Sequence, residues 1–172
     1  MKDVSEALEK LNTTNWSEVV QRENAKSGKG KHKLRTYRLF KDNFISECYV
    51  FTIMPKCHRS ALAQFRCGTA TLRIETGRYE GTPVEQRFCL FCKDKVEDEI
   101  HALLDCPLYN DVRVKLFNSL KAKYNGIYCF SKVELLKCIL AAKDEDIVKK
   151  CAKACHEILT ARRQFMYNDT TP

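Results

Sequence analysis

The stretch from Cys89 to Cys106, CLFCKDKVEDEIHALLDC, constrains the fold more than any other part of the chain. It reads Cys-x2-Cys-x8-His-x4-Cys, so Cys89, Cys92, His101 and Cys106 supply three thiolates and one imidazole. That is a complete tetrahedral donor set for a structural Zn2+ ion, with no coordination position left open. A tight turn is required to aim Cys89 and Cys92 at one point. Val96 to Leu104 reads as a short helix that carries His101, with Val96, Ile100, Leu103 and Leu104 at helical spacing and Pro107 stopping it just beyond Cys106. Glu97, Asp98 and Glu99 fall in the first turn of that helix, where its dipole favours negative charge.

Ten cysteines in 172 residues make accidental pairs common, so a Cys-x2-Cys alone carries little weight; the complete four-ligand spacing carries more. Disulfides are the alternative. They suit an oxidising compartment, whereas the N-terminal MKDVSEALEKLNTTNW has no apolar core of a secretory signal, and no segment reaches membrane-spanning length. The expectation is an intracellular chain, nuclear or cytoplasmic, with reduced thiols and no membrane partner.

A chain of 172 residues can bury one sizeable core. The pattern predicts a mostly α, small zinc-stapled helical domain with a Cys-Cys-His-Cys knuckle and at most a short hairpin near 71–80. The organisation expected is N-terminal helices over 1–24, a basic arm over 25–41, a helical segment leading into the knuckle over 42–106, and a helical bundle over 107–168, all in one compact domain. Val4, Ala7, Leu8 and Leu11 mark one apolar helix face, and a second short helix is expected around Trp16 to Gln21. Residues 34–54 are apolar with mixed periodicity and read as helix. His58 to Cys67 reads as a helix ended by Gly68. Leu72 and Ile74 alternate in a strand-like way before Gly77 and Gly81. Thr82, Pro83 and Glu85 suggest a capped helical turn, and Ser131 with Glu134 a second capping box. Three amphipathic helices follow the knuckle: Leu108 to Tyr124, one opened by Ser131 with Val133, Leu136, Ile139 and Leu140 inward, and a last one from Asp144 to Tyr167.

The formal net charge of +8 points to a polyanionic partner, RNA or DNA. From Ala25 to Lys41 the chain carries Lys26, Lys29, Lys31, Lys33, Arg35, Arg38 and Lys41 without one acid. A solvated lysine-rich loop accounts for such a run, as does a nuclear localisation signal. Because His32, Tyr37 and Phe40 lie among the charges, phosphate contacts and base stacking from one segment account for it equally. Arg66, Arg73, Arg78 and Arg87, presented by the helices and the knuckle, are further candidates for nucleic-acid contact. Phe91, inside the knuckle, either packs beneath the metal or stacks on a base.

Cys151 and Cys155 share a helix face and raise the question of a second metal site with Cys57, His58 or Cys138; small core residues are the simpler reading. No catalytic constellation is present in the sequence. There is no Walker loop, no His-Glu-x-x-His and no Gly-x-Ser-x-Gly, and the order of ligands around Glu99 and His101 is not that of a zinc deaminase.

The runs LRTYRLFK, HRSALAQFRCG, LRIETGRYEG, CLFC, VEDEIHALLDCPLY with Arg113, and CHEILTARRQF together resemble the C-terminal region of LINE-type (non-LTR) retrotransposon reverse transcriptases, over nearly the whole chain from about Asn15. The resemblance implies that Cys89, Cys92, His101 and Cys106 are zinc-knuckle ligands and that the region grips RNA or DNA beside a polymerase. The chain departs from such polyproteins in lacking polymerase and endonuclease parts. A non-catalytic nucleic-acid-binding module is the function expected, and a zinc-stabilised helical adapter for another protein is the alternative.

Overall fold

A computed structural model describes residues 2–22, 34–41 and 44–169. Lys26, Lys29, Lys31 and Lys33 lie outside the described residues. The fold is mostly α, as expected. Among the described residues there is no strand, and the one extended pairing is an isolated antiparallel bridge between Phe88 and Val96, which closes the knuckle.

Helix α1 (Lys2–Arg22) is one continuous helix where two were expected. Its Val4, Leu8 and Leu11 are exposed, so the apolar face read from the sequence is not part of the core. Helix α2 (Cys48–Phe51) is a single turn, and Tyr37–Leu39 is a 3-10 turn. Together they replace the longer helix expected over 34–54. Burial of a cation explains the irregular path: the Arg66 guanidinium lies 4.6 Å from the Phe40 ring centre and 4.9 Å from that of Tyr49. A regular helix would not present both rings to it.

Helix α3 (Lys56–Cys67) ends as the sequence requires. Gly68 adopts φ +68°, and the Thr69 amide donates to the Gln64 carbonyl at 2.9 Å, closing the C-terminus with a left-handed residue that glycine tolerates without cost. The Leu34 amide donates to the Cys67 carbonyl at 3.2 Å, which docks residues 34–41 on that helix end. The C-terminal part of the expected arm is therefore folded, with Thr36 and Lys41 buried.

Helix α4 (Arg73–Tyr79) stands where a hairpin had been allowed. Its N-terminus is capped from outside. Glu97 Oε2 accepts the Arg73 amide at 2.7 Å and the Glu97 carbonyl accepts the Ile74 amide at 3.0 Å, so two of the helix's orphan donors are satisfied by the knuckle. Leu72 and Ile74 both enter the core at that junction, which is why they alternate without forming a strand. Gly77, mid-helix, lies under the stem of Arg87; a Cβ there would stand 2.8 Å from Arg87 Cγ. The Thr82 capping box does not form. Pro83 occupies the cap of a 3-10 turn, Val84–Gln86, and the Thr82 amide is spent on the Gly77 carbonyl.

Helices α5 (Asn110–Lys121), α6 (Lys132–Leu140) and α7 (Glu145–Asp169) follow the expected order. The Ser131 capping box is complete: Ser131 Oγ accepts the Glu134 amide at 3.3 Å and Glu134 Oε2 accepts the Ser131 amide at 2.7 Å. Asp144 caps α7 by accepting the Ile147 amide at 3.1 Å. Leu136, Ile139 and Leu140 are buried, whereas Val133 is exposed. α7 is the spine. It packs most extensively along α3 and next along α5, burying Ile147, Val148, Cys151, Cys155, Ile158 and Leu159 against Leu62, Phe65, Leu116 and Leu120. Each such side chain contributes about 1.5–3 kcal/mol when fully removed from water.

Candidate metal centre

The knuckle begins with a turn. The Lys93 amide donates to the Cys89 carbonyl and the Cys89 amide to the Lys95 carbonyl, both at 2.8 Å. Lys93 takes φ +62°, the left-handed conformation that lets the chain double back within four residues of Cys89. Both sulfurs then face the same point.

The other two candidate donors, His101 and Cys106, come from an unusual helical turn. His101–Asp105 is a π turn, with the Cys106 amide donating to the His101 carbonyl at 2.8 Å. In an α-helix, residues five apart diverge by about 140°, since each residue turns through about 100°. The wider i→i+5 turn returns them to one face, which is how a His-x4-Cys spacing can serve one ion. Asp98 Oδ1 caps the turn by accepting the His101 amide at 2.7 Å. At its other end Arg113 of α5 donates to the carbonyls of Leu103 at 3.2 Å and Cys106 at 2.6 Å, satisfying acceptors that the extended backbone at Cys106 leaves over.

The four donor atoms of Cys89, Cys92, His101 and Cys106 lie within 4.8 Å of one another. The Sγ of Cys106 is 3.9 Å from that of Cys89 and 3.6 Å from that of Cys92; Cys92 Sγ is 3.6 Å from His101 Nε2. A tetrahedron with metal–sulfur bonds of about 2.3 Å and a metal–nitrogen bond of about 2.05 Å has S–S edges of about 3.8 Å and S–N edges of about 3.6 Å. The edges agree, so the residues present fit a tetrahedral metal ion. Cys89, Cys106 and His101 are buried, whereas Cys92 is half-buried.

The donors of the cluster shift one another's affinity for protons. A hydrogen bond from Cys106 holds the Cys89 thiol far below the ordinary thiol range, and the same contact pushes Cys106 well above it. A hydrogen bond with Cys89 likewise raises His101. A bound cation would take over the role of those protons, and binding would release them.

Of the three acids expected in the first turn of a helix from Val96, Asp98 caps the turn, which begins only at Glu99, whereas Glu97 and Glu99 are buried in ion pairs. Glu97 is 2% exposed and forms a two-pronged ion pair with Arg162 of α7, at 2.8 and 2.9 Å. Glu99 is equally buried and is gripped by Arg35, whose guanidinium also lies 3.6 Å from Glu75. These pairs bolt the metal turn to α7 and to the segment docked on α3. Sequence reasoning missed them because partners 64 and 65 residues apart leave no local signal.

Compared with family models, with curated proteins and with solved structures, the chain matches none.

The arginines read from the sequence as candidates for nucleic-acid contact are engaged within the fold to differing extents. Arg66 is 2% exposed, lies between Phe40 and Tyr49, and pairs with Glu47 at 2.9 Å. Arg87 is buried and donates to the carbonyls of Ile74 at 2.7 Å and Thr82 at 2.9 Å. Arg73 pairs with Glu80, and Arg78 with Glu75. Arg35 is committed to Glu99, and Arg38 is half-buried in the docked segment. Arg66, Arg87 and Arg35 are thereby tied into the fold, whereas Arg38, Arg73 and Arg78 are half-buried. Phe91 packs edge-on against Phe165 of α7, ring centres 5.5 Å apart, and remains part-exposed.

Cys151 and Cys155 are core residues, as the simpler reading held. Burial pushes the Cys151 thiol up to about 12 and holds Cys155 well above the ordinary thiol range, so neither ionises readily. No helix among the described residues is long and apolar enough to cross a membrane.

Proposed function

We propose that the chain is a non-catalytic, zinc-stapled module that binds RNA or DNA. Three thiolates with one imidazole in tetrahedral array favour zinc over harder cations, which prefer oxygen donors. Four protein donors leave no position for a reactive water, so the ion's role is structural. When bound it supplies cross-linking free energy. Asp98 and Arg113 hold the turn that presents His101 and Cys106, and Glu97 and Glu99 carry that rigidity into α7 and the 34–41 segment.

One observation carries the nucleic-acid reading. A groove between α5 and α7 is lined by Lys115, Lys150 and Lys153, all exposed, together with Val112, Ser119 and Glu157. With most of the knuckle and α4 arginines paired internally, the excess of +8 rests on such lysines and on Lys26, Lys29, Lys31 and Lys33. The proposed contact is thus lysine to phosphate, which is strong, dependent on salt and indifferent to sequence. The resemblance to the C-terminal region of LINE-type reverse transcriptases supports the same partner class.

Two variants test this: Lys26, Lys29, Lys31 and Lys33 all changed to alanine, and Lys115, Lys150 and Lys153 all changed to alanine. Binding of RNA and DNA oligomers by the wild type is expected to weaken steeply with salt. Each variant should reduce the log–log salt slope by about one for every phosphate contact it removes. Salt-independent binding, or slopes unchanged in both variants, contradicts the proposal.

A second reading, an adapter for another protein, is favoured by the exposed apolar residues of α1, Val4, Leu8 and Leu11, and by Phe51 and Ile53 at 72% and 85% exposed. Under that reading the lysine variants keep a protein partner that substitution of Leu8 and Phe51 would lose.

A further inference from the structure

We propose that Cys57, His58 and His156 form a second metal site, separate from the knuckle and open on one side, that takes a borderline-soft divalent cation such as Zn2+. Cys57 and His58 occupy the first turn of α3, and His156 lies midway along α7. Their ligand atoms fall within 4.8 Å of one another, the same closeness that defines the knuckle set. The two imidazole rings are 5.1 Å apart between centres and tilted by 45° rather than stacked flat. Sequence spacing could not show this set, because His156 is 98 residues from His58 and joins it only through the packing of α3 on α7.

The chemistry differs from that of the knuckle in a defined way. One thiolate and two imidazoles provide three protein donors, and the fourth position of a tetrahedron falls to water or to an outside donor. Cys57 is exposed and His58 and His156 are half-buried, so an ion can enter and leave, unlike one enclosed by the buried sulfurs of Cys89 and Cys106. Beside the site runs a groove lined by Ser60, Gln64, Thr71 and Arg163, with space for a small polar ligand to supply the fourth donor. Binding would convert the Cys57 thiol to a thiolate, releasing its proton to solvent, and would clamp the N-terminal turn of α3 to α7. Cys151 and Cys155, on the neighbouring face of α7, take no part because they are fully buried in the core.

The test counts zinc on the full chain by native mass spectrometry and equilibrium dialysis against Zn2+, for the wild type and for Cys57→Ala, His58→Ala and His156→Ala. The wild type is expected to bind two zinc ions per chain, the second more weakly, and each variant one. In the variants the weaker affinity should fall by about tenfold or more, the loss that even an outer-shell partner of a metal ligand produces. A wild type and variants that all hold one zinc, or all hold two, overturn the second site and leave the three side chains as surface packing. Failure of the knuckle reads differently, since the variants would then hold none.

Discussion

Replacing Cys106 with serine is expected to abolish the native fold around the knuckle. Cys106 is fully buried, its sulfur lies within 3.9 Å of the other two, and its amide closes the π turn that also presents His101. A serine hydroxyl is a poor zinc ligand, and with three donors left the cage opens to water. Structural zinc contributes apparent free energies of about 10–16 kcal/mol in small modules, against a total domain stability of about 5–15 kcal/mol. Losing most of it exceeds what the contacts of the knuckle itself can offset. The loss should be regional, however, because α3 and α5–α7 share their own apolar core of Leu62, Phe65, Leu116, Leu120, Leu136, Ile139 and Ile158. Hydrogen exchange should show protection lost across 72–109 with much of α7 still protected. Chelation of the wild type should reproduce that pattern, and added Zn2+ should reverse it. A Cys106→Ser variant with wild-type protection would contradict the structural role of the ion.

Replacing Glu97 with alanine is the second large effect. Glu97 accepts two bonds from Arg162 and one from the Arg73 amide, while its own backbone bonds Arg87 and Ile74. Removing the carboxylate leaves the Arg162 guanidinium, which is 8% exposed, without its counter-charge and leaves a helix N–H unsatisfied. Breaking a buried pair in this way costs about 3–5 kcal/mol. The attraction of the pair itself contributes less than that figure suggests, because both charges gave up hydration to meet. A double variant, Glu97→Leu with Arg162→Met, should therefore be much less destabilised than Glu97→Ala alone. Denaturant unfolding with zinc at saturation reads both values. A Glu97→Ala loss below about 1 kcal/mol would show that the pair does not bolt the knuckle to α7.

What the sequence disclosed, and what it hid, follows from how far each determinant reaches along the chain. The Cys-x2-Cys turn, the Gly68 helix end, the Ser131 capping box and the apolar stripe of α7 are decided by neighbours within a few residues, and all four stand as read. Helix α4 was hidden because its cap is Glu97, more than twenty residues away. The path of residues 34–54 was hidden because Phe40 and Tyr49 answer to Arg66 rather than to helical period. The candidate donor set was legible as four residue types at given spacings. The π turn that makes the His-x4-Cys spacing work, and the Arg113 that holds its end, were not. The partners of the arginines were hidden for a related reason. Charge patterning counts cations without their partners, and Glu47, Glu75, Glu80 and Glu99 had already claimed most of them.

The central claim is that one ion is enclosed by three sulfurs and a ring nitrogen. X-ray absorption at the zinc edge, on the Cys57→Ala variant so that a single donor set remains, measures that shell directly. The account predicts three sulfur scatterers at about 2.3 Å and one nitrogen at about 2.0 Å, with one zinc per folded chain. A folded chain free of metal, or a shell dominated by oxygen, would contradict it.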